Sequence, residues 1–296
     1  MSTAWDDRLS RLERLLSLAA GKVESRRPGL WSLTDGNGSL RRVDVRMVDS
    51  WLRFESTPDL DLDECGPWQL LRRTGSLDAV AKLVLPVAGT GPVLCADLPV
   101  RAGLEGGVLS ELVAQLGVGT CAEKHHPEND RESCASLPAV DELVEMCREA
   151  GWNATEKGDD TIRVDCTIRG SARSFRLQPA SESETFRVVA DLVDLEWPSP
   201  AVRDAVAVLL LTVSDAVWGL RGFAGESVDR MTAGIETVVW GQSADAVGDA
   251  VAAVALGCDL AADEAMALGD NAVATKYLEL RGITAQLDET GARRAS

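Results

Sequence analysis

The two histidines are the first place to look for chemistry in this chain. His125 and His126 are the only ones in 296 residues, and they lie between Cys121 and Cys134 in CAEKHHPENDRESC. Zinc sites usually take their ligands in pairs, C-x2–4-C or H-x3–5-H, because one turn then presents two donors. Here the spacing is C-x3-H-H-x7-C, and the side chains of adjacent histidines diverge. The segment reads as a solvated linker, and no metal is expected. The run DLDLDE, Asp59 to Glu64, alternates carboxylates as a calcium loop does. It lacks the flanking helices and the closing Glu of an EF-hand, so it reads as an acidic loop.

Nucleophilic and cofactor chemistry also lack their parts. Both histidines lie in the linker, no G-x-S-x-G elbow is present, and no cysteine has a histidine partner suggested by the sequence. The glycine clusters GNG, GTG and EGG match neither the phosphate loop nor the dinucleotide fingerprint. GTGP, Gly89 to Pro92, falls between two strand patterns and reads as a hairpin. No catalytic residue and no cofactor are therefore expected. The seven cysteines (Cys65, Cys95, Cys121, Cys134, Cys147, Cys166 and Cys258) form no C-x-x-C pair. Several fall in strand or helix patterns, as free thiols packed like small hydrophobes do.

Tryptophan is the residue type that stands out, eight against one Tyr and four Phe. Trp51 breaks the parity of its neighbours. If Leu52 and Phe54 face the core, Trp51 faces away from it, as a partner-binding anchor would. Cover by a second layer is the other reading, and both stay open at this level. Trp68 and Trp197, each beside a proline at an element end, are further partner-binding candidates. Trp31 and Trp152 read as core landmarks.

These residues need elements to position them. Leu9, Leu12, Leu15, Leu16 and Ala19 share one helical face opposite Arg8, Arg11 and Arg14. LWSLTD and SLRRVDVRMV then alternate as strands across the turn signal DGNG, followed by WLRFES. In RVDVRM, Val43, Val45 and Met47 should face the core, with Arg42 and Asp44 paired on the outer face. PWQLLRRTG is a short helix with Pro67 in its first turn. AKLVLPVAG and PVLCADLPV are strands, and LEGGVLSELVAQLG is a helix. Beyond the linker, LPAVDELVEMCREAG is a helix closed by Gly151. AVAVLLLTVSDAVW, Ala205 to Trp218, is a buried helix, and RMTAGIETVVW is a later strand. SADAVGDAVAAVALGCDLAADEAMALG and AVATKYLELRG are the closing helices.

One plan recurs at an offset of 121 residues. Trp31 maps to Trp152, Arg42–Val43–Asp44 to Arg163–Val164–Asp165, and Met47 to Ile168, with the turn Asp35–Gly38 over Glu156–Asp159. Further on, CADLPV resembles VADLVD, each ahead of a helix. A one-residue slip would turn every side chain to the opposite face, so preserved parity argues for two copies of one unit. The expected organisation is a first α+β domain over 1–120, a linker over 121–136, a second α+β domain with C-terminal helices over 137–285, and a tail over 286–296.

Charge narrows the partners. The formal net charge is −17. Residues 1–120 hold 14 Lys and Arg against 16 Asp and Glu, and the remainder 16 against 31. So acidic a second half argues against nucleic acid, which needs a basic stripe, and against anionic membranes. No apolar run approaches the roughly 18–20 residues of a membrane span. The N-terminus reads as an amphipathic helix and not a signal peptide, so a cytoplasmic location is expected. Only five of the 30 basic residues are Lys, and Ala and Gly abound, which suggests a GC-rich bacterial source.

The order of helix, meander, VLCADLPV and LEGGVLSELVAQL resembles the type III secretion chaperone and YbjN group. Two such modules in tandem look like the actinobacterial chaperone-like proteins called TY-Chap. Val193 of the second copy stands where the first has Pro99, a departure from the pattern. The resemblance implies two tandem modules of helix, antiparallel β-meander and helix, of α+β class, that bind a protein or peptide without catalysis. It also implies pairing, either as a homodimer or between the two copies of one chain. The alternatives are an enzyme of unrecognised type with an acidic cleft in the second half, and a regulatory or structural subunit of a larger assembly.

Overall fold

The computed structural model describes residues 3–34, 41–58, 60, 65–77, 81–87, 91–100, 106–118, 139–158, 161–179, 186–227 and 230–283. Cys121, His125, His126 and Cys134, the carboxylates of DLDLDE and the DGNG turn lie outside these residues. The first half holds α1 (Thr3–Ala20), β1 (Lys22–Arg27), β2 (Leu30–Thr34), β3 (Val43–Val48), β4 (Trp51–Ser56), α2 (Pro67–Ser76), β5 (Ala81–Val84), β6 (Val93–Pro99) and α3 (Gly106–Val118). The second holds α4 (Val140–Glu149), β7 (Asn153–Gly158), β8 (Thr161–Ile168), β9 (Ser171–Pro179), β10 (Phe186–Glu196), α5 (Pro200–Ala216), β11 (Leu220–Glu226), β12 (Arg230–Val239), α6 (Ala244–Ala267) and α7 (Asn271–Leu280).

The chain is α+β, with two antiparallel six-stranded sheets and seven helices among the described residues. It divides into two compact units. Unit 1 comprises Met1–Asp61 and Ser76–Asn129, and unit 2 comprises Leu62–Gly75 and Asp130–Ser296. The sheet of unit 1 runs β1-β2-β3-β4-β6-β5. That of unit 2, read from its β7 edge, runs β7-β8-β9-β10-β12-β11. Counted along each half, the strand order is the same, with helices at the same places in the chain.

In unit 1, α1 packs on α3, β1 and β2, and α3 covers β3, β4 and β6. The heart of α1 is Leu12 and Leu16, while Leu9, Leu15 and Ala19 flank it half-buried. Val43, Val45 and Met47 are buried on β3, and Arg42 donates from Nε to Asp44 Oδ1 at 2.8 Å on the outer face, as alternation requires. In unit 2, α6 lies across β8, β10, β11 and β12 and carries α4 and α5. Gly151, at φ +86, closes α4. Ser199 caps α5 by accepting from the Val202 amide, and Pro200 follows it. The apolar run of α5 is buried almost all round. Among the described residues no helix is long and apolar enough to cross a membrane.

Although α2 stands between β4 and β5 in the chain, it packs within unit 2. The Trp68 amide donates to Asp204 Oδ1 of α5 at 3.2 Å. A Cβ on Gly222 of β11 would lie 2.7 Å from Leu71 Cδ1 and 3.1 Å from Leu210 Cβ. A side chain there would force Leu71 to shift and crowd Leu210.

The register expected between the copies is corrected. RVDVRM lies on β3, the third strand of its sheet, whereas RVDCTI lies on β8, the second. Trp31 is buried on β2, but Trp152 is half-buried in the turn after α4, donating its amide to Cys147 O at 2.9 Å. CADLPV belongs to β6, whose counterpart in strand order is β12, while VADLVD belongs to β10. The physical cause is that alternating amphipathic strands resemble one another locally, so a match can fall one strand out. Two strands also escaped the pattern, β1 and β11, and β1 is an edge strand whose residues are mostly exposed, so it carries little apolar alternation.

Candidate functional site

Each sheet turns one face to its helices and carries charged side chains on the other. In unit 1 the strand registers arrange this face in rows. Val48, Trp51 and Pro99 are direct cross-strand neighbours on β3, β4 and β6. The next row is Arg46, Arg53 and Asp97. The third runs Ser32, Asp44, Glu55, Cys95 and Lys82 across five strands.

Those charges are joined by ion pairs. Arg46 Nη2 meets Glu55 Oε1 at 2.5 Å, and Ser32 Oγ donates to Asp44 Oδ1 at 2.5 Å. Arg53 grips Asp97 with two bonds, Nε to Oδ1 at 2.6 Å and Nη2 to Oδ2 at 3.0 Å. Lys82 Nζ approaches Asp97 Oδ2 at 2.6 Å. Arg53, Lys82 and Asp97 are all buried. Burial pushes the Asp97 carboxyl upward, but the charges of Lys82 and Arg53 and their hydrogen bonds outweigh it and hold the pKa below the ordinary value. Burial raises the neighbouring Cys95 thiol to about 12. This cysteine stays protonated and unreactive at neutral pH.

The face is closed where β5 and β6 carry the ion triad and opens towards β3. Val48 is 50% exposed, and Trp51 and Pro99 are half-buried. Leu52 and Phe54, the parity partners of Trp51, are fully buried on the helix side. The result is a small apolar row beside a rigid charged lattice.

The three tryptophans singled out from the sequence occupy three different settings. Trp51 is on the open face of unit 1. Trp68 is 6% exposed in unit 2, with its indole Nε1 buried and no hydrogen-bond partner for it among the described residues. Trp197 follows β10 at φ +53 and is 72% exposed. Trp51 belongs to unit 1, and Trp68 and Trp197 belong to unit 2.

Sequence reasoning missed Arg53, Lys82 and Asp97. Parity places Arg53 with Trp51 on the outer face, but alternation gives no sign that a charged outer residue is buried. Unit 2 carries a similar arrangement. Glu236 of β12 accepts from Arg221 Nε of β11 at 2.6 Å and from Arg187 Nη1 of β10 at 3.1 Å. Among the described residues no group of three or more His, Cys, Asp or Glu is placed to hold a metal ion. Comparison with family models, with curated proteins and with solved structures finds no match to this chain.

Proposed function

We propose that this protein is a non-catalytic, chaperone-like binding protein of the type III secretion chaperone and YbjN kind, two copies of one module that together capture a protein or peptide in the bacterial cytoplasm. The observation that carries the reading is the row Val48–Trp51–Pro99. It is an accessible apolar strip on a sheet face, held in place by ion pairs that fix the strands beneath it. An aromatic side chain on rigid backbone offers a large contact area at little cost in entropy, which suits an anchor. An extended peptide laid along β3 and β4 would meet apolar surface first and alternating charges next, a pattern that reads side chains in register. The strip is small, so affinity comes from seating one or two apolar residues, with the charges choosing among partners.

The test compares wild type with Trp51→Ala. The substitution removes a half-exposed ring and should leave thermal unfolding close to that of wild type. Tagged full-length protein is used to capture partners from native extract, and the captured proteins are compared by mass spectrometry. A specific partner that binds wild type and falls at least tenfold in the variant supports the reading. Equal capture by a folded Trp51→Ala variant sinks it.

A further inference from the structure

The longest helix of unit 2 has two faces of different character. On its inner side α6 buries Val247, Val251 and Val254 against the sheet. The outer side of such a helix ordinarily carries charged residues. Here it carries Leu256 and Leu260, 50% and 44% exposed. Four residues apart, they stand one above the other on a single ridge. Single exposed leucines are commonplace; a pair in register on one helix is a surface.

Charge says what the surface would take. The 24 residues of α6 include Asp245, Asp249, Asp259, Asp263 and Glu264 and no Lys, Arg or His. Arg169 and Arg173, on or next to β9, reach Asp259 and Asp263. With five carboxylates and no cation of its own, the helix is acidic.

We propose that the outer face of α6 is a docking surface for a basic amphipathic helix of a partner protein. Its apolar side would seat on Leu256 and Leu260, with its Lys and Arg side chains directed towards Asp263 and Glu264. A helix is favoured over an extended strand because α6 offers a ridge of i, i+4 side chains and no backbone edge, and such ridges pack into the grooves of another helix. The field of an acidic helix on an acidic protein would steer a cationic segment and make binding sensitive to salt.

The probe is a fluorescein-labelled 18-residue peptide of Leu and Lys with Leu at helical spacing, titrated by anisotropy into the full chain. Its controls are a scrambled peptide of the same composition and an analogue with Glu in place of Lys. The amphipathic Lys peptide should bind at least tenfold more tightly than either control. Leu256→Ser with Leu260→Ser should weaken it at least tenfold. Asp263→Asn with Glu264→Gln should weaken it about threefold at low salt and not at high salt. Equal binding of the scrambled peptide overturns the proposal, as does unchanged binding by the double Ser variant. So does light scattering that shows a wild-type dimer converted to monomer by the double Ser change, which would assign the ridge to a second copy of the chain. Should the double variant lose its fold, the scrambled-peptide comparison on wild type decides the matter. Trp51→Ala leaves this binding unchanged, so either surface can fail without the other.

Discussion

The two sheets share a strand order but not a sequence, and their charged centres show what that order preserves. In unit 1 an aspartate on β6 stands between Arg53 of β4 and Lys82 of β5, and all three are buried. In unit 2 a glutamate on β12 stands between Arg187 of β10 and Arg221 of β11, with Arg187 about a quarter exposed. Strand for strand the pattern is the same: an acid on the inner strand, a base on each neighbour. The residue types and the registers differ. Asp97 is directly opposite Arg53, whereas Glu236 is directly opposite Arg221. Each acid reaches its second base diagonally, Asp97 to Lys82 on the edge strand and Glu236 to Arg187 on the inner one. The two sheets thus share the order of charges across their strands while the residue at each position differs.

Breaking the two centres should separate them most strongly. Asp97→Asn leaves Arg53 and Lys82 buried without their shared carboxylate, and removing one partner of a buried ion pair costs about 3–5 kcal/mol. Glu236→Gln should cost less, because Arg187 can turn into water. Urea unfolding of the two variants checks the order, and a larger loss from Glu236→Gln would refute the comparison. The pH dependence follows from Asp97. Its folded pKa is depressed, so its contribution is fully present above the unfolded carboxyl value near ~3.9. It is lost as pH falls through the lower folded value. Asp97→Asn should flatten the acid limb of the stability curve.

A smaller effect should come from α2, the helix that stands in the first half of the chain and packs in the second unit. Leu71 is fully buried there against Gly222. Leu71→Ala should cost about 2–5 kcal/mol, the ordinary range for a buried leucine truncated in a core. Hydrogen exchange tells where that cost falls. Amides of α5 and β11 should open more readily while β2, β3 and β4 keep their protection. Faster exchange confined to the sheet of unit 1 would contradict this placement of α2.

Legibility in the sequence followed burial. Where one face is buried and the other wet, pattern sufficed: β3 with Val43, Val45 and Met47, α1 with Leu12 and Leu16, and α4 with its closing Gly151 were all readable. Where both faces are wet, as in KVESRR of β1, the apolar period is missing and the strand was passed over. Parity assigns a side but says nothing of depth, so nothing in the pattern marks Arg53, Lys82 and Asp97 as buried. Trp51 came out on the correct side of its strand because Leu52 and Phe54 fixed the parity. Trp68 gave no such signal, and its backbone amide is held by Asp204, far along the chain.

The RVD triplet that suggested a repeat proves to be a cross-strand device. In unit 1 Asp44 on the third strand accepts from Arg42 two residues back and from Ser32 on the second strand. In unit 2 Asp165 on the second strand accepts from Arg163 at 2.8 Å and from Ser174 on the third strand at 2.6 Å. Arg and Asp two apart share one face of a strand, and a serine opposite completes the acceptor's shell. Any adjacent pair of strands can hold the device, so it marks a strand pair and not a place in the plan. It has one measurable consequence in unit 2. The Asp165 carboxyl titrates below its ordinary range chiefly through the Ser174 bond, then through Arg163. Ser174→Ala and Arg163→Gln, which removes a hydrogen bond and a charge together, should each raise the Asp165 pKa, read from the side-chain carboxyl shift in NMR titrations of each variant, and no shift in Ser174→Ala would count against the device. The carboxylate is close to solvent, so the change in unfolding stability should be slight.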